Sequence, residues 1–183
     1  MWAIVLIAVG SLFVIAVLAA IAIPTFLNQR VKAHTPKIPA QIGSLTRSPD
    51  QAAQEQAQKV LESEPNLASP RGAVFVDADG THQVTVYTAA FRQPAADAEL
   101  EEFEAGYWKG FRQTAGVQLQ TPQATDPGEH GGRVTCAMFS SPAGTGETCV
   151  ALDAWSMVVT TDQSMAGPPR RGFITTVREA VLP

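Results

Sequence analysis

The first 27 residues, Met1 to Leu27, are apolar almost without interruption, and no charged side chain occurs before Arg30. A run of that length predicts one helix about 40 Å long, enough to cross a hydrocarbon core of roughly 30 Å with tilt. Residues 28–50, "NQRVKAHTPKIPAQIGSLTRSPD", lose helical period and mix bases with Pro36, Pro39, Gly43 and Pro49, as a linker does. Within them "KIPAQIGSL" carries Ile38, Ile42 and Leu45, apolar side chains with which it would dock as an extended arm on the domain that follows. From Asp50, "DQAAQEQAQKVLESE" predicts a short helix ended by Pro65. Its apolar side is mostly Ala, with Val60 and Leu61, and leaves open what it packs on.

The compact part starts near Arg71, where the period changes. "AVFVDADGTHQVTVYTAAF" is two β-rich runs around Asp79-Gly80, a hairpin signal. Pro94 is placed to open a helix on which Leu100, Phe103, Tyr107, Trp108 and Phe111 share one face. Acids crowd its first half (Asp97, Glu99, Glu101, Glu102, Glu104), and Lys109 and Arg112 close it, the order that suits the helix dipole. After a polar loop at 120–132, "RVTCAMFSS" and "ETCVALDAWSMVVTTD" read as strands. Pro168-Pro169 introduce a last helix with the stripe Phe173, Ile174, Val177 and Val181. Hairpin, helix, strands, helix predicts an α+β domain over 51–183: an antiparallel sheet with helices packed on one face.

Charge divides the chain. Residues 1–50 are basic, with Arg30, Lys32, Lys37 and Arg47 against Asp50, whereas 51–183 are acidic enough to bring the whole to −4. An acidic outer domain argues against nucleic acid as a partner, since phosphate backbones need a basic face. Bases just after the apolar run would place the C-terminal domain in the cytoplasm. The cysteines point the other way. Cys136 and Cys149 are equidistant from the Pro142–Ala143 bond inside the turn signal "SPAGTG", so a simple hairpin sets them opposite each other at disulfide distance. A disulfide belongs in an oxidising compartment, and closing a loop of this size contributes on the order of 3 kcal/mol. Two buried free thiols are the other reading. The domain is expected outside the membrane, and a basic cytoplasmic segment upstream of Met1 would reconcile the two signals.

Candidate chemistry is sparse. "DADGTH" at 77–82 has the look of a calcium loop but runs straight into a strand, so a hairpin turn is expected, not a metal site. "GEHGG" at 128–132 sets Glu129 and His130 in a glycine-rich loop, two ligands where zinc needs three or four. Ser140 and Ser141 lack a nucleophile elbow, and a disulfide would leave no Cys nucleophile. The aromatics of the central helix read as core, and Arg170-Arg171 as a solvated pair. No catalytic residue, metal ligand or cofactor is expected.

Two resemblances remain. "LAAIAIPTFLNQR", residues 18–30, resembles the second half of the N-terminal helix of type IV pilins. With Pro24 set on the pilin proline, Ile7 stands where pilins carry their acid and Ala3 where the mature chain would begin, with no processing site expected before it. The C-terminal third resembles an uncharacterised actinobacterial membrane-anchored extracytoplasmic domain. The matching residues are Gly131, Gly132, Cys136, Cys149, Val150, Ala151, Asp153, "MVVTT" and a closing helix with Arg178, while "ALDAW" displaces Trp155 from the usual pattern. That resemblance implies an anchored, disulfide-containing domain and no activity. The expectation is therefore a single-pass cell-membrane protein, held by residues 1–27, acting as a non-catalytic binding or interaction module with an envelope protein as possible partner. The alternative is a type IV pilin-like structural subunit.

Overall fold

A computed structural model describes residues 35–60, 66–164 and 171–182. The apolar run 1–27 and the pilin-like stretch lie outside the described residues, and among those described no helix is long and apolar enough to cross a membrane. The fold is α+β. Nine strands form one sheet: β1 (Gln41–Ile42), β2 (Leu45–Arg47), β3 (Leu67–Val76), β4 (His82–Phe91), β5 (Gln118–Leu119), β6 (Gln123–Thr125), β7 (Arg133–Ser141), β8 (Gly144–Leu152) and β9 (Ser156–Ser164). Three helices accompany it: α1 (Gln51–Lys59), α2 (Asp97–Arg112) and α3 (Phe173–Val181). The strand order is β1-β2-β3-β4-β9-β8-β7-β5, with β6 also on β7 and every pair antiparallel.

Helices cover both faces of this sheet, which corrects the expectation of helices on one face. Successive strand residues point to opposite sides, and β8 and β9 are apolar on each. Cys149, Ala151 and Val158 pack with Ile174, Val177 and Val181 of α3. Val150, Leu152, Met157 and Val159 pack with Leu100 and Trp108 of α2. A sheet apolar on both faces needs two covers.

"ETCVALDAWSMVVTTD" is not one strand but the end of β8 and most of β9, folded at Asp153–Trp155. The Asp153 carboxylate makes the break: Oδ1 accepts from the N–H groups of Trp155 (2.7 Å) and Ser156 (2.8 Å), and Oδ2 accepts from Ser156 Oγ (2.6 Å). α2 begins at Asp97, after Pro94, where the Ala96 N–H donates to Glu99 (2.8 Å).

Within the segment read as linker, 28–50, β1 and β2 pair with each other and β2 pairs with the end of β3. Ile42 and Leu45 are fully buried and Ile38 packs on the same cluster, so the arm docks through these apolar residues, as a tight hairpin at 41–47 where an extended arm was expected. The Lys37 N–H donates to Val181 O (2.8 Å), tying the arm to the end of α3.

α1 starts at Asp50, whose side chain accepts from the Ala53 N–H, and it holds the sheet through two glutamines. Gln54 exchanges hydrogen bonds with the backbone of Val74: its Nε2 donates to Val74 O (2.7 Å), and Val74 N–H donates to its Oε1 (3.1 Å). Gln58 donates to Pro70 O (3.1 Å) and accepts from Gly72 N–H (3.2 Å). Side chains four apart on a helix sit about 6 Å apart, and residues two apart on a strand about 6.6 Å, so the two rows match. Helix and strand touch so closely that a Cβ on Gly72 would lie 2.0 Å from Ala57 O. Glycine is required there.

Candidate functional site

The motif residues that carry the C-terminal resemblance build a frame. Cys136 of β7 and Cys149 of β8 face each other in register and are joined by a disulfide, with Cα atoms 4.1 Å apart. Gly132, at φ +77°, approaches the end of β8 so closely that a Cβ would lie 2.3 Å from Leu152 O. Arg178 is 1 % exposed, the largest fully buried side chain among the described residues. Its two terminal nitrogens donate to Pro127 O and Gly131 O (2.9 Å), pinning the 127–131 loop against α3. Burial lowers the guanidinium's pKa, and the nearby Asp153 carboxylate opposes that shift. These residues position strands and loops.

On the α3 side of the sheet, Glu147 of β8 stands opposite Asp162 of β9, one row from the disulfide. Both acids are buried, and His82 Nδ1 lies 3.8 Å from Asp162 Oδ1. Glu147 accepts from the Gly172 N–H at the start of α3 (2.8 Å). Its carboxyl pKa is raised by burial and by the Asp162 charge, against the lowering effects of that hydrogen bond and of Arg171. Donor atoms of Cys136, Cys149 and Glu147 lie within 4.8 Å of one another, but both sulfurs are spent in the disulfide and no thiolate is left to hold a metal.

The pair gives a signed expectation. A glutamate in the unfolded chain titrates at about 4.3, and the folded protein holds the proton of Glu147 to higher pH. Its contribution to stability is therefore present in mild acid and is lost as pH rises through the folded pKa. Glu147→Gln keeps an acceptor for Gly172 and removes the charge. In urea titrations the variant is expected to be the more stable protein at pH 7, by up to about 1 kcal/mol, with the gap closing towards pH 4. A gap that widens in acid would contradict this.

Across the sheet, α2 sets its aromatics into the second core. Trp108 is buried, Phe103 stands edge-on to Phe91, and Phe111 packs between Tyr107 and Phe139. Tyr107 Oη hydrogen-bonds Thr148 Oγ1 (2.5 Å), and burial pushes its pKa up to about 12. This cluster is core, as the spacing predicts.

The remaining sequence candidates are turn and surface groups. In "DADGTH" the Asp77 carboxylate accepts from Thr81 N–H (2.8 Å), Thr81 Oγ1 (2.9 Å) and His82 N–H (3.2 Å), so both oxygens serve the hairpin turn. Although desolvation opposes it, those hydrogen bonds hold its pKa below the usual carboxylate value. Glu129 is exposed on the short 3-10 turn Gly128–His130, which does not bring His130 to a third ligand among the described residues. Ser141 Oγ accepts from Ala143 N–H (3.3 Å) in the β7–β8 turn. Arg171 is exposed, and Arg170 lies outside the described residues.

What the sequence does not show is a groove where the arm crosses α1 and β3. It has a volume of about 630 Å³, and Lys37 of the arm, Arg47 of β2, Arg71 of β3 and Glu55 of α1 line it. All four are exposed, and none of the three cations forms an ion pair with a described residue. The cations come from separate segments, so no local motif announces them. The available signal was the basic arm of an otherwise acidic chain.

No protein-family model, curated protein or solved structure matches the chain.

Proposed function

We propose that the protein is a single-pass membrane-anchored envelope protein whose C-terminal domain lies outside the cytoplasm and serves as a non-catalytic binding module. The observation that carries the binding role is the groove: an open cleft lined by three exposed cations, none of which forms an ion pair with a described residue. The anchoring rests on the almost wholly apolar run 1–27, and the outward orientation on the cysteine pair, which joins as a disulfide. The pilin-like subunit is the second reading, favoured by "LAAIAIPTFLNQR" alone.

Membranes of the native cell, washed with carbonate, then unfolded in denaturant and alkylated without reductant, provide the test. The protein is expected in the membrane pellet with both cysteines unmodified. Two alkylated cysteines would overturn the outward orientation, and release by carbonate would overturn the anchor. Electron microscopy of overproducing cells separates the second reading, since filaments containing this chain would replace the first.

A further inference from the structure

We infer that the groove between the arm, α1 and β3 is a binding site for a phosphate-bearing anion, either a phospholipid headgroup or a soluble phosphate ester. This deepens the binding-module reading and rests on it. Lys37, Arg47 and Arg71 reach the groove from three different elements and have no carboxylate partner among the described residues. A planar carboxylate is satisfied by one guanidinium fork. Two guanidiniums and an ammonium lining one cleft from separate segments suit a tetrahedral anion with several acceptor oxygens. The volume of about 630 Å³ exceeds what a bare ion needs and accommodates a phosphorylated headgroup or sugar.

The backbone of β3 is distorted where it feeds this site. Between Ala68 and Arg71 the β3–β4 register slips by one residue, and Ser69 adopts φ +51°, the sole non-glycine positive φ among the described residues. A left-handed backbone is unfavourable for a residue with a Cβ, and a one-residue slip reverses which side of the sheet later side chains face. With the bulge, Arg71 shares the parity of Ala73 and Phe75, the arm side of the sheet. Without it Arg71 would be turned to the α2 side. The strained residue, itself part of the groove lining, is what delivers the second guanidinium.

Glu55 tempers the site. It leaves the groove with a net positive charge and adds an acceptor for a hydroxyl carried by the phosphate ester. The position fits a membrane-proximal ligand as well. Residues 28–34 span at most about 25 Å when extended, so with 1–27 in a bilayer the groove lies within reach of headgroups.

The test uses the full chain in nanodiscs of neutral phosphatidylcholine, titrated with inorganic phosphate by calorimetry and followed by competition with phosphatidylglycerol vesicles. Saturable, salt-sensitive phosphate binding is expected. Arg47→Gln and Arg71→Gln should each weaken it about tenfold or more, and Glu55→Gln should strengthen it. Circular dichroism melts of the three surface variants should overlay the parent. Competition by the anionic vesicles assigns the site to a headgroup, and its absence assigns it to a soluble ester; both support the inference. Absence of saturable binding to phosphate and to anionic lipid would overturn it, as would arginine variants that bind like the parent. If the chain fails to enter the discs, the anchor reading falls separately, and the titration still decides the groove on the chain in solution.

Discussion

Arg178→Ala is expected to destabilise the domain by about 3–5 kcal/mol, the largest effect of any single substitution considered. Two costs add. Deleting a large, fully buried side chain leaves a cavity that packed neighbours fill only in part. It also strips Pro127 O and Gly131 O of their donors, groups that 127–131 presents to α3 and cannot all turn to water. Domains of this size are stable by roughly 5–15 kcal/mol in total, so the variant would sit near the edge of folding. Guanidinium chloride titration measures it. Arg178→Lys should recover only part of the loss, because an ammonium cannot span the two carbonyls as a fork does. A loss below 1 kcal/mol for the alanine variant would show that the loop is held by something else.

The double substitution Cys136→Ala and Cys149→Ala ranks second, with an expected loss of about 3 kcal/mol from the looser unfolded chain. The hairpin itself should persist, since β7 and β8 remain paired from Arg133↔Leu152 to Ser141↔Gly144. Far-UV circular dichroism should therefore match the parent while the denaturant midpoint falls. Cys136 is 6 % exposed and Cys149 1 %, so dithiothreitol should reduce the folded parent only as fast as the sheet opens. Reduction at the rate of an unfolded peptide disulfide would be inconsistent with that burial.

The β7–β8 hairpin was legible because its information is local. Two cysteines equidistant from a proline-bearing turn leave one register, and every pair from that turn outward follows. α2 was legible for the same reason, its aromatic stripe being long enough to fix a period. The helix placement was not. "CVAL" and "MVV" are apolar on alternate and intervening positions alike, a pattern that says buried strand without saying what lies above and below. α1 was legible as a helix from Asp50, but its packing was not: its adhesive residues are Gln54 and Gln58, polar side chains that no hydrophobic stripe would reveal. Of the candidate site, the basic arm was visible, but the meeting of Lys37, Arg47 and Arg71 depends on β2 pairing with β3 and on a bulge at Ser69. Glu147 and Asp162 were passed over because charged letters in a strand read as solvent-facing, and here α3 covers them.

The glutamine clamp of α1 has a consequence for solubility. An open strand edge is a template on which a second chain can add its own strand, the first step towards fibres. Along residues 70–74 of β3 that edge is occupied by two side-chain amides instead of a neighbouring strand. A guard built from two residues covers that edge, and removing both would leave the backbone groups of 70–74 open to a strand of another copy.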